Sequence, residues 1–162
     1  MTRILLSVCL LASGLAIAAD APQQAMSEHA HAVVRASATQ WGPAPPVLPA
    51  GAQAAVLYGD PGKAGPFAIR LNAPAGYRVP RHTHPADEQV TLISGDLTLS
   101  VGMRDAASDQ ALAAGDYINL RANMQHEAST KGGAVIEIHS EGPFQITYAD
   151  PKDDPRNAAP TP

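Results

Sequence analysis

Gly76-Tyr77-Arg78-Val79-Pro80-Arg81-His82-Thr83-His84-Pro85-Ala86-Asp87-Glu88 runs straight into Gln89-Val90-Thr91-Leu92-Ile93-Ser94-Gly95. In extended chain, residues two apart project to the same face. His82 and His84 therefore stand side by side, a suitable bite for one metal ion. Glu88 lies four further on, past Pro85, an even spacing that can return a carboxylate to that face. Imidazole nitrogens joined by a carboxylate oxygen suit Zn, Fe, Mn, Ni, Co or Cu and disfavour calcium, whose sites are built from oxygens. A His-x-His pair alone reads equally well as surface histidines beside a proline turn. The carboxylate in register, and the glycines at 76 and 95, give the metal reading its weight.

Outward from this stretch, short β-like segments alternate with turn signals. Ala54–Tyr58 closes on Gly59-Asp60-Pro61-Gly62, and Phe67–Leu71 closes on Asn72-Ala73-Pro74-Ala75-Gly76. Leu97, Leu99 and Val101 share a face after Gly95-Asp96. Asp116–Leu120, Val135–His139 and Phe144–Tyr148 continue the pattern, while Ala106–Ala114 is the one stretch that suggests a helical turn. With 13 glycines, 15 prolines and only 4% aromatics, regularly spaced strands point to an all-β sandwich or barrel. Val33-Val34 offers a first strand, and Trp41-Gly42-Pro43-Ala44-Pro45-Pro46 an extended loop stiffened by its prolines.

The N-terminus reads as an export signal: Arg3, an apolar run from Ile4, and the small residues Ala16-Ile17-Ala18-Ala19 before Asp20. Cleavage is expected after Ala18 or Ala19, which places the protein in the periplasm or outside the cell. The run is short and interrupted by Ser7, Ser13 and Gly14, so it suits a signal better than a membrane anchor. Cleavage would remove Cys9, the single cysteine, and with it disulfide and thiol chemistry. A net charge of −4 with no basic run makes nucleic acid and anionic membrane surfaces poor partners. His29 and His31, in the non-periodic arm after the signal, could bind a metal ion loosely, but read more simply as incidental solvated histidines.

The segment from Gly76 to Gly95 resembles the first motif of the cupin superfamily: a glycine, five residues, His-x-His, a glutamate, six residues and a glycine. Gly76, His82, His84, Glu88 and Gly95 fill those positions. A second motif should carry a glycine, five residues, Pro-x-Gly, two residues, a histidine and, four on, an asparagine. Here Gly115 begins it and His126 holds the histidine position, while Arg121, Asn123 and Thr130 replace the proline, glycine and asparagine. Asn123 can still serve a turn, because asparagine tolerates positive φ.

The resemblance implies an antiparallel jelly-roll β-barrel over 51–148, after a signal at 1–19 and an arm and loop at 20–50, with a mobile tail at 149–162. It also implies a divalent transition metal (Fe, Mn, Ni, Cu or Zn) held by His82, His84, Glu88 and His126, and a possible homodimer. Such a site usually keeps coordination positions open for water, oxygen or substrate, which makes catalysis conceivable. The leading expectation is a dioxygenase-like oxidation or an isomerisation of a small polar or phenolic molecule. The alternatives are a non-catalytic binding or sensor module and a metal that merely fastens the fold. Glu88 can serve as ligand or as general base. His139, which shares a strand face with Glu137, becomes a candidate base or substrate contact if that face points inward, and otherwise a rim histidine bonded to backbone. Tyr117 and Asn119 share a face that could line the cavity, although core packing suits Tyr117. Arg78 or Arg81 at the barrel mouth could attract an anionic substrate.

Overall fold

The computed structural model describes residues 32–157. The chain divides into a unit from Met1 to Val33 and a unit from Val34 to Pro162, and the second is the one considered below. The expected export signal and the His29/His31 pair lie outside the described residues.

Two antiparallel sheets face each other. The first has six strands in the order β1 (Gly42–Pro43), β2 (Gln53–Tyr58), β3 (Gly65–Ala73), β10 (Ala134–Gly142), β5 (Glu88–Gly95) and β8 (Tyr117–Leu120). The second has five: β11 (Thr147–Tyr148), β4 (Arg78–Thr83), β9 (His126–Ser129), β6 (Leu97–Val101) and β7 (Ser108–Leu112). This is the jelly-roll barrel. Its interior is filled by alternate residues of each strand: Phe67, Ile69 and Leu71 from β3, Val90 and Leu92 from β5, Leu97 and Leu99 from β6, and Ile138 from β10.

Several sequence expectations are corrected. Ala106–Ala114 forms no α-helical turn. A 3-10 turn at Arg104–Ala106 is followed by edge strand β7, because a ladder to β6 from Leu97↔Leu112 to Val101↔Ser108 outweighs weak helix propensity. Val33 and Val34 are exposed and belong to no strand; pairing begins at β1. The tail is structured through Asn157 as two 3-10 turns, and Arg156 Nη2 donates to the Ile146 carbonyl at 3.2 Å. Among the described residues no helix is long and apolar enough to cross a membrane.

The Pro-rich segment between β1 and β2 is strapped to the barrel. Leu48 inserts into the core. The Tyr77 hydroxyl donates to Pro49 O at 2.6 Å and the Tyr148 hydroxyl to Val47 O at 2.7 Å. Both phenols are thereby satisfied as they become buried, as a buried hydroxyl requires.

Candidate metal centre

Strand β4 carries His82 near its end, and His84 follows directly after the strand. The ladder to β9 pairs Val79 with Ala128 and His82 with His126, which leaves Pro80 and Arg81 opposite Glu127 alone, so a bulge falls there. Proline has no N–H to donate, and a bulge is where a strand tolerates it. The extra residue lets Val79 and His82 both face the interior despite their odd spacing. His126, directly across the ladder from His82, opens β9. Glu88 opens β5 on the opposite sheet. All four side chains are buried.

Each imidazole is fixed by a backbone carbonyl. His82 Nδ1 lies 2.6 Å from Pro80 O, His84 Nδ1 2.7 Å from Gln145 O, and His126 Nδ1 3.0 Å from Met124 O. A carbonyl only accepts, so each Nδ1 carries the proton and each Nε2 presents a lone pair. One nitrogen from each ring lies within 4.8 Å of the other two. Glu88 adjoins this triad on one side: its Oε2 is 3.6 Å from His84 Nε2 and 3.3 Å from His126 Nε2. Neither of those two buried nitrogens has a hydrogen-bond partner.

The electrostatics point the same way. Burial pushes the His82 imidazole down to about 3, helped by the neighbouring His126 and His84 rings. His84 is also lowered, mainly by burial, against the pull of Glu88. For Glu88, burial favours the neutral acid, and positive charge on the facing His126, His84 and His82 rings is what would hold the carboxyl below its ordinary value. Buried, unpartnered Nε2 atoms converging beside the buried Glu88 carboxylate make a pocket that a divalent cation satisfies. The donor set fits such an ion.

The segments carrying these residues are stitched together. Asn123 N donates to His84 O at 2.8 Å, and Ala122 N to Asp87 Oδ1 at 2.8 Å. Asn123 takes φ 63°, so it fills the turn role of the glycine it replaces. Thr130, in the asparagine position, is buried and its Oγ1 accepts from Gly133 N at 3.0 Å, closing the turn into β10.

Other candidates lie elsewhere. Ile136 and Ile138 take the inward positions of β10, so strand parity turns Glu137 and His139 outward. His139 is half exposed, with Nε2 3.0 Å from Glu137 Oε1, and Arg70 Nε donates to Glu137 Oε2 at 2.9 Å. It therefore does not reach the triad. Tyr117 and Asn119 are likewise exposed on the outer face of β8. Arg78 forms a two-pronged pair with Glu127, both contacts at 2.7 Å. Arg81 is buried outside the cavity, its guanidinium donating to Gly102 O, Ser100 O and Ser100 Oγ.

Sequence reasoning passed over Phe144, which stacks on His84 with centroids 5.3 Å apart and planes at 21°, and Tyr148, whose ring lies 5.8 Å from that of His82. No local pattern marks them, since both meet the site through tertiary packing. The carbonyls of Pro80 and Met124 share one signal: each stands two residues before the histidine it orients.

Around the donors is a cavity of about 40 Å³, walled otherwise by apolar side chains such as Leu48, Val90, Leu99 and Phe144.

Similar proteins share the fold. A putative acetylacetone dioxygenase from Methylibium petroleiphilum superposes with a TM-score of 0.60 at 21% identity, covering 80% of this chain and 88% of that one. The polyketide cyclase RemF from Streptomyces resistomycificus gives a TM-score of 0.62 at 12% identity, with 78% and 90% covered. An RmlC-like cupin from Shewanella frigidimarina gives 0.56 at 13% identity, with 69% and 91% covered. These likenesses establish a cupin fold. No curated protein matches the sequence. One family profile, described as a domain of unknown function (DUF4437), matches residues 12–147.

Proposed function

The chain belongs to the DUF4437 family, and on the site inside its cupin barrel we propose that it is an exported, metal-dependent enzyme oxidising or isomerising a small molecule. The observation that carries this reading is the pair of buried, unpartnered nitrogens, His84 Nε2 and His126 Nε2, facing the Glu88 carboxylate. His82, His84 and His126 would hold the ion, with Glu88 as a further ligand. A bound divalent transition metal supplies Lewis acidity and, when it is Fe, Mn, Ni or Cu, redox capacity.

The chain's own residues supply the rest. The carbonyls behind the three histidines hold each ring in one tautomer and orientation. Glu88, anionic and 3.3 Å from His126, is placed to take a proton from a substrate when it is not a ligand. Phe144 and the aliphatic wall line the rest of the cavity around the donors. The cupin neighbours include a protein described as a putative acetylacetone dioxygenase and one described as a polyketide cyclase, and both descriptions suit chemistry on small oxygenated molecules.

The test is to load the metal-free protein separately with Fe, Mn, Ni, Cu, Co and Zn. Oxygen uptake and product formation are then followed with catechols, flavonols, diketones and thiols. Turnover with one redox-active ion, abolished in Glu88→Ala, is the expected result. Tight metal binding without turnover on any substrate favours a second reading, a non-catalytic binding module, for which the small size of the cavity speaks. Export is tested by fractionation and N-terminal sequencing, which should begin at Ala19 or Asp20.

A further inference from the structure

A second cavity, of about 30 Å³, adjoins the one at the histidines, and the two share the wall residues Leu71, Val79, Leu97, Ala128 and Ile136. The wall of this second cavity is apolar. Its bordering polar groups are engaged elsewhere: the Tyr77 hydroxyl on Pro49 O and Thr130 Oγ1 on Gly133 N. Ser129 borders it from β9, whose inward positions are His126 and Ala128. Neither cavity is lined by an arginine or a lysine, since Arg78 is held by Glu127 and Arg81 by backbone carbonyls. The five shared side chains are the common wall of the two spaces, and the unpartnered polar atoms lie at the histidine end.

We infer that the adjoining cavity is a subsite for a short alkyl group, and that the ligand of this site has one oxygen-donor head and an unbranched apolar tail. The inference rests on the metal reading above, which places the head at His82, His84 and His126. A space of about 30 Å³ takes roughly two or three water-sized groups, hence a tail of two or three carbons. A polyhydroxylated or polyanionic ligand is unsuited. Every hydroxyl or carboxylate beyond the head would be buried against Leu71, Leu97 and Ile136 with no partner.

The experiment uses the full chain loaded with Co(II) and a ladder of straight-chain hydroxamates, from acetohydroxamate to hexanohydroxamate, with dissociation constants read from the visible Co(II) spectrum. Affinity is expected to tighten about fourfold per added methylene over two or three carbons and then to fall. Ala134→Val and Ala73→Val each add methyl groups at the wall of the second cavity and suit a strand. In either variant the optimum should shorten by one or two carbons with Co(II) affinity retained. An affinity independent of tail length in the unaltered protein, or falling from the first added methylene, overturns the subsite while leaving the metal centre standing. So does an unshifted optimum in the folded variants. Failure of Co(II) to bind at all overturns the metal reading, and the subsite falls with it.

Discussion

His84 Nε2 and His126 Nε2 face Glu88 Oε2 across 3.6 and 3.3 Å without a proton to share, because each ring has already given its N–H to a carbonyl. Removing one donor should therefore cost metal affinity outright. His126→Ala and His82→Ala are each expected to weaken binding by at least about 100-fold, more than the loss of an orienting partner usually costs, as measured by competition with a chelating dye. Without metal, the same residues make the fold acid-sensitive. His82 is held at about 3 against an ordinary 6.5, so between these values the unfolded chain binds the proton that the folded chain refuses. Stability is full above about 6.5 and declines as the pH falls toward about 3. Thermal melts of metal-free protein should show that decline, and His82→Asn should make it shallower, with His84 accounting for part of what remains. At this scale His82, His84 and Glu88 were legible because their spacing is local. His126 was readable only through a degenerate motif, whose departures prove to have physical substitutes in the positive φ of Asn123 and the turn hydrogen bond of Thr130. The side that His139 faces was not legible, because strand parity gives two faces without saying which is buried; Ile136 and Ile138 decide it.

Among the elements, the strands with clear alternation, such as β3 and β6, lie where their patterns place them. Strand β7 was missed because its residues are nearly all exposed and carry no alternation; only its ladder to β6 defines it. The bulge at Pro80 was equally hidden, although the proline was in plain view. Gly95 ends β5 at φ 89°, and a Cβ there would collide with the Gly133 carbonyl at the start of β10. Gly95→Ala should lose at least about 1–3 kcal/mol, from backbone strain and displaced chain, read by chemical denaturation. The Arg78–Glu127 pair joining β4 to β9 is a milder case. Arg78 is half exposed, so solvent screens the pair, and a double-mutant cycle should return a coupling of only about 0.2–1 kcal/mol.

At the scale of the molecule, the barrel positions its donors by bringing two sheets face to face: three histidines come from the β4 and β9 side and one glutamate from β5. The strap ahead of β2 helps to close that interior, with Leu48 in the wall and two tyrosine hydroxyls on Pro49 and Val47. Tyr77→Phe and Tyr148→Phe should each cost about 1 kcal/mol. They should also speed hydrogen exchange at the Ala44 and Leu48 amides, which are bonded to Ala52 O and Pro45 O. The strap's role could not be read from its sequence, since prolines fix an extended path but not what that path covers. The most direct measurement is the metal content of the purified, metal-exchanged protein beside His82→Ala and His126→Ala, determined by elemental analysis after dialysis. One equivalent of a divalent transition metal in the unaltered chain, and far less in both variants, is the predicted result. No bound metal in the unaltered chain, or equal metal in all three, would contradict the account.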